Sequence, residues 1–76
     1  MNIDATISKL QMAIKLNTDK VIRLNTTQVY SEEENKLFTK YTLKDKNEEI
    51  FTSYSKVAIL KKLASIFRNR GDTANG

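Results

Sequence analysis

The chain lacks three residue types that often carry chemistry or shape a backbone. Its 76 residues contain no cysteine, no histidine and no proline. Without cysteine, no disulfide can form and no thiolate can bind a metal or attack a substrate. Without histidine, the commonest general base near neutral pH and the commonest metal ligand are both missing. The sequence therefore predicts a protein that is not an enzyme and that holds no metal or cofactor.

Glycine and long apolar runs are also scarce. Glycine occurs only at Gly71 and Gly76, so turns with positive φ must be built without it inside the domain. The longest apolar runs, at residues 57–60 and 12–14, are far too short to cross a membrane. The first four residues contain an acid and no basic region, unlike a secretory signal. We expect a cytoplasmic protein that does not bind membranes.

The charge balance is mildly basic. The chain has 13 basic and 9 acidic residues, a net charge of +4. This excess permits nucleic acid or an acidic protein as a partner, but it also falls within the range expected for solubility alone.

Helical periodicity marks both ends of the chain. In the first helix, the residues that repeat at helical spacing are Ile3, Ile7, Leu10 and Ile14, with Met12, Ala13 and Leu16 beside them. We expect this helix to be capped by Asn2 or Asp4 and to be stopped by residues 17–19, with Asn17 as the residue that tolerates a left-handed conformation. In the second helix, from Lys56 to about Arg70 after a Ser55 cap, the predicted core residues are Val57, Leu60, Leu63, Ala64 and Phe67.

Between the helices, alternating patterns predict three strands. They run from Lys20 to Tyr30, from Lys36 to Lys44 and from Glu49 to Tyr54. Asn35 is the expected positive-φ residue of the first turn, and the pattern falters near Gln28, which suggests a bulge.

This order predicts an α+β fold made of a helix, a three-stranded antiparallel β-meander and a helix, with both helices packed on one sheet face. We expect residues 1–71 to form a single domain and residues 72–76 a disordered tail. One sheet face and the edges of the first and third strands would stay uncovered.

The first strand and the turn after it are the candidate partner-binding region. Four uncharged polar residues in a row, at positions 25–28, are unusual inside a strand. They are interpreted either as a hydrogen-bonding recognition strip or as an edge strand kept polar against aggregation. The candidate residues for binding another protein are Arg23, Asn25, Thr27, Gln28, Tyr30, Glu32, Glu33 and Glu34.

Two further surfaces are candidates. A basic, aromatic sheet face could stack and neutralise nucleic acid through Arg23, Phe38, Lys40 and Lys44, although the row containing Tyr41 is an alternative. Ile59 and Ile66 lie seven residues apart beside the core stripe of the second helix. They predict either the seam of a homodimer or a wider core contact.

Residues 21–33, from Val21 to Glu33, followed by Thr39 to Thr42, resemble small uncharacterised proteins of Gram-positive bacteria and their phages or mobile elements. The resemblance implies a cytoplasmic accessory protein of a mobile element that acts by binding a host protein. It assigns no site residues.

Overall fold

In a computed structural model, which describes residues 2–69, the chain forms two helices and three strands. The elements are α1 (Ile3–Thr18), β1 (Ile22–Ser31), β2 (Lys36–Asp45), β3 (Glu48–Ser53) and α2 (Lys56–Arg68). The strands form one antiparallel sheet in the order β1-β2-β3. The predicted α+β fold is confirmed, and each predicted element is present with its ends at or within two residues of the predicted ones.

Short polar side chains begin and end the first helix. Asn2 Oδ1 accepts a hydrogen bond from the backbone N–H of Ala5 at 3.2 Å, which caps the start of α1 as predicted. At the other end, Asp19 takes φ 63° and its N–H donates to the carbonyl of Lys15 at 2.9 Å. The prediction that Asn17 is the left-handed residue was wrong, because the helix runs on to Thr18 and Asn17 stays helical.

The second helix begins where the sequence predicted. Ser55 Oγ accepts a hydrogen bond from the N–H of Ala58 at 3.3 Å. Lys56 Nζ lies 3.0 Å from Asp4 Oδ1, which joins the N-terminal ends of the two helices. This hydrogen bond and the charge of Asp4 raise the pKa of Lys56. The ion pair therefore stabilises the folded state, and this contribution is lost as pH rises above the ordinary lysine range. It is small because both side chains are exposed to water.

Both helices bury their apolar faces on the same side of the sheet. The register places Leu24 opposite Leu43 and Ile22 opposite Asp45, so Ile22 and Leu43 share one face. The buried core consists of Ile7, Ile14, Ile22, Leu43, Ile59 and Leu63, which pack as one cluster drawn from both helices and two strands. The predicted stripe of α1 is confirmed, and the other face of the sheet carries no helix among residues 2–69.

A bulge lies in β3 rather than in β1. β1 pairs with β2 without interruption, so the prediction of a bulge near Gln28 was wrong. The register instead shifts in the β2–β3 pairing, between Leu43 and Lys44. Because the bulge breaks the strict alternation of β3, the neighbouring residues Ile50 and Phe51 both pack against the core.

The second helix is rotated relative to its predicted stripe, and the residues expected to widen the stripe of α1 are exposed. Val57 is 49% exposed, whereas Ile59 is 0% exposed and lies in the core. Met12 and Leu16 of α1 are also exposed. The reason is that α2 packs on α1 as well as on the sheet, so its buried face turns toward Ile59, and within residues 2–69 no element covers Met12 or Leu16.

The β1–β2 hairpin extends beyond the helices. β3 pairs only with Tyr41–Asp45, so residues 27–40 form a two-stranded ribbon, which we call the hairpin arm. The described chain measures 47 × 28 × 18 Å and has a radius of gyration of 14.1 Å. A compact chain of this length has a radius of gyration of about 11 Å. The arm therefore exposes a sheet surface that no core covers.

Residues 2–69 share one core, and neither described helix is long and apolar enough to span a membrane. The proposed domain boundary at residue 71 and the disordered tail at residues 72–76 lie outside the described residues, so both stay predictions.

The rotation of α2 can be tested by a matched pair of substitutions. We expect Ile59→Ala to lower the free energy of unfolding by about 2–5 kcal/mol, because it leaves a cavity in the core. Val57→Ala should change it by no more than about 0.5 kcal/mol, because that side chain is half in water. Urea denaturation followed by circular dichroism measures both.

If Ile59→Ala fails to fold, Ile59→Val removes one methyl group and should cost about 0.5–1.5 kcal/mol. An equal cost at positions 57 and 59 would contradict the observed orientation of the helix.

Candidate functional site

The outer edge of β1 is the longer of the two unpaired edges of the sheet. β1 has 10 residues and β3 has 6, and each pairs with β2 alone. From Leu24 to Ser31 the strand contains no charged residue, and most of its side chains are exposed. Natural sheets usually block such edges with charges, bulges, proline or short strands. None of these occurs along this part of β1, so its edge is open to another strand.

The edge of β3 is protected by contrast. This strand is short, begins with Glu48 and Glu49, and carries the bulge opposite Leu43 and Lys44. Charge and irregular geometry both oppose strand addition there. The two edges are therefore not equivalent, and β1 is the candidate docking edge.

The first residue of β1 shows which backbone groups face outward. Gln11 Nε2 on α1 donates a hydrogen bond to the carbonyl of Ile22 at 2.9 Å. In an antiparallel strand, the N–H and C=O of one residue point to the same side, and successive residues alternate between sides. The carbonyl of Ile22 is turned toward α1 rather than β2. The backbone groups of Leu24, Thr26, Gln28 and Tyr30 therefore also point away from β2, to the outer edge of the sheet.

A groove runs between α1 and the first half of β1. It has a volume of about 500 Å³, and one helical face of α1 forms a wall with Ser8, Gln11, Met12 and Lys15. Residues 21–25 form the other wall. Met12 is 55% exposed and Val21 is 50% exposed, so the groove presents apolar surface to water. A strand added to β1 would place alternate side chains in this groove.

The groove is basic. Lys15 and Arg23 line it, and none of the described residues that line it is acidic. Lys20 lies beside it in an adjoining cavity of about 400 Å³, where Asp19 and Asp45 balance the basic side chains. An acidic segment therefore fits the groove better than a basic one.

The predicted partner-binding residues do not form one surface. Pairing with β2 places Arg23, Asn25 and Thr27 on the open face of the sheet. Gln28 and Tyr30 point to the opposite face, beyond the ends of the helices. The acidic residues Glu32, Glu33 and Glu34 form the turn at the tip of the hairpin arm. The strand residues share β1 but not a face, and of these residues only Gln28 and Tyr30 turn their backbone groups to its outer edge.

Two of these side chains stabilise the hairpin itself. Gln28 Nε2 donates to Thr39 Oγ1 at 3.2 Å across the strands. Tyr30 Oη donates to Asn35 Oδ1, and Asn35 takes the predicted positive φ, here 53°. Since these polar groups already have partners, the free backbone of β1 is a better candidate for recognition than the side chains of Gln28 and Tyr30.

The residues predicted to bind nucleic acid do share a face. Arg23 lies opposite Lys44, and Phe38 and Lys40 alternate with Lys44 along β2 on the side away from the helices. The alternative row is on the helix side, since Tyr41 shares a face with the buried Leu43 and Lys56 Nζ lies 5.9 Å from its ring centre.

The predicted dimer seam is wrong at Ile59. This side chain is wholly buried in the core and cannot reach a second molecule. Ile66 is partly buried and packs against the same core. The wider core contact, which was the alternative interpretation of this pair, describes both residues.

The groove residues of α1 and the exposed ring of Tyr54 were not predicted. Ser8, Gln11, Met12 and Lys15 do have the spacing of a helix face, but nothing in that spacing shows that an edge strand runs beside it. Tyr54 was placed within the third strand, whereas it follows the strand and contacts Phe38 on the open face. Both placements depend on tertiary packing.

No group of three or more acidic side chains among residues 2–69 is arranged to hold a metal ion.

Searches of family models, curated proteins and solved structures found no match to this chain. The edge of β1, the groove beside it and the open sheet face are therefore the features from which function is inferred.

Amide hydrogen exchange tests whether the edge is free. We expect fast exchange at Leu24, Thr26 and Gln28, whose N–H groups point outward, and slow exchange at Asn25 and Thr27, which bond to β2. Residue-resolved NMR measures this alternation. Uniform protection from residue 24 to residue 28 would mean that the edge is already covered, and it would contradict the open edge.

Proposed function

We propose that the protein is a non-enzymatic interaction module that captures an extended, acidic segment of another protein as a fourth strand beside β1. The observation that carries the proposal is an unprotected edge strand that is uncharged from Leu24 to Ser31, with a basic groove along its first half. Main-chain hydrogen bonds to the outward groups of β1 would supply affinity, and the groove would select alternate side chains of the partner.

The chemistry of the partner follows from the groove. Met12 and Val21 offer apolar contact, and Lys15 and Arg23 offer positive charge. The segment that fits best alternates apolar residues with acidic ones, since alternate side chains point into the groove. In a mobile-element accessory protein, which the resemblance implies, such capture would act on a segment of a host protein.

The backbone mode can be tested at a single position. We expect Thr26→Pro to weaken the binding of acidic, alternating peptides of about eight residues by at least about tenfold, because it removes an outward N–H and adds a ring at the edge. Thr26→Val keeps the N–H and should bind as the wild type does. Chemical-shift titration measures the affinity, and thermal unfolding by circular dichroism checks that both variants fold.

Equal affinity of the Pro and Val variants would contradict strand addition at β1. Light scattering after gel filtration identifies the other occupant that this edge could take, a second copy of the chain. A wild-type dimer that Thr26→Pro converts to a monomer would show that the edge serves self-association, and it would overturn capture of a separate partner.

The charge of the groove can be tested by reversing it. We expect Lys15→Glu to weaken the binding of acidic peptides by about 2- to 10-fold at low salt, because a favourable charge pair becomes a repulsive one. Lys9→Glu is the matched control, since it makes the same change on α1 outside the groove. An equal loss in the two variants would show that only the net charge of the chain matters.

A further inference from the structure

The open face of the sheet carries a row of cations that strand addition at β1 does not use. Lys36, Lys40 and Lys44 lie on this face of β2 because their spacing of four residues keeps their side chains on one side. Arg23 joins them from β1, opposite Lys44. Together they extend over about 27 Å of strand.

Negative charge is sparse on the same face. Among the described strand residues, Glu49, opposite Lys44, is the one acid that the pairing places there. The centre of the open face is polar and well packed. Thr42 is buried there, and its hydroxyl lies 3.5 Å from the hydroxyl of Thr52. The face is therefore a positively charged surface with little apolar area near its middle, which suits a polyanion better than an apolar protein surface.

Two aromatic rings stand at one end of this row. Phe38 and Tyr54 meet edge to face, with ring centres 6.3 Å apart and planes at 73°. Lys36 Nζ lies 5.4 Å from the centre of the Phe38 ring and covers part of it, whereas Tyr54 is 59% exposed. A cavity of about 410 Å³ opens between these rings and Val29, and the acidic Glu34 of the turn lines its far side together with Ser31. Tyr54 is therefore the ring on which a flat ligand group can stack.

We infer that this face binds a single strand of nucleic acid. The lysines and Arg23 neutralise its phosphates, and one base stacks on Tyr54 beside the cavity. Charge along a backbone combined with an exposed ring is the pattern by which single strands are held without sequence preference. This inference shares Arg23 with the groove beside β1, whereas its three lysines and Tyr54 belong to the open face alone, so substitutions at those residues test it separately.

A double helix fits the same surface less well. A two-stranded ribbon can enter the major groove of a duplex, but it does so with its tip close to the phosphates. Here the tip carries Glu32, Glu33 and Glu34, which repel them. The bases of a duplex are also stacked on each other and cannot reach Tyr54. A single strand can lie across the face and meet the acidic turn only at Glu34, which lines the cavity beside Tyr54.

Fluorescence anisotropy with labelled oligonucleotides of about 12 residues tests the inference. Oligo-uridine RNA, oligo-thymidine DNA and a duplex DNA of equal length are titrated at salt concentrations of roughly 50 and 200 mM. We expect both single strands to bind more tightly than the duplex. Three to four neutralised phosphates predict a slope of log affinity against log salt of about −2 to −3.

Substitutions locate the binding on this face. We expect Lys40→Ala to reduce the steepness of the salt dependence by about 0.7, the contribution of one phosphate contact, whereas Lys61→Ala, an exposed lysine on α2, leaves it unchanged. Tyr54→Ala should weaken binding by about 5- to 100-fold, and Tyr54→Phe, which keeps the ring, should not.

Three results would overturn the inference. They are no anisotropy change at low salt, a preference for the duplex, or equal effects of Lys40→Ala and Lys61→Ala. The last result would indicate attraction by net charge alone. Thr26→Pro should leave nucleic-acid affinity unchanged, which separates this test from the test of strand addition.

Discussion

The contact of both helices with Ile22 and Leu43 is the constraint on which the rest of the structure depends. These two side chains share one face of the sheet, and the four buried helix residues close over them. Residues 2–69 build one small core, and among them there is no second layer to cover the other face. The open sheet face and the free edge of β1 both follow from this one-sided packing.

The length of the first two strands adds to this exposure. β1 and β2 have ten residues each, but the helices and β3 cover only the half that contains Ile22 and Leu43. The hairpin arm must then be held by cross-strand contacts, such as the hydrogen bond from Gln28 to Thr39, rather than by a core. Polar side chains on the arm therefore have a structural role as well as being exposed to solvent.

The two proposed sites use different properties of the same hairpin. The edge of β1 offers backbone groups and lies beside α1, which supplies the groove. The open face offers side chains, and the pairing of β1 with β2 brings Arg23 beside Lys44. Arg23 is the side chain that both sites use, and apart from it a peptide and a single strand of nucleic acid would contact different atoms. A module with both could join a protein to a nucleic acid.

Local patterns in the sequence determined the order of the elements, the Ser55 and Asn2 caps and the positive φ of Asn35, because each depends on residues close together in the chain. The period of two also placed Phe38, Lys40 and Lys44 on one face, although it left open whether that face or the row of Tyr41 was exposed. Packing decided this, as it decided that Ile59 rather than Val57 is buried, that the bulge lies in β3 and that α1 runs beside the edge of β1. Periodicity relates residues within one element, whereas the element that each face meets depends on contacts between distant parts of the chain.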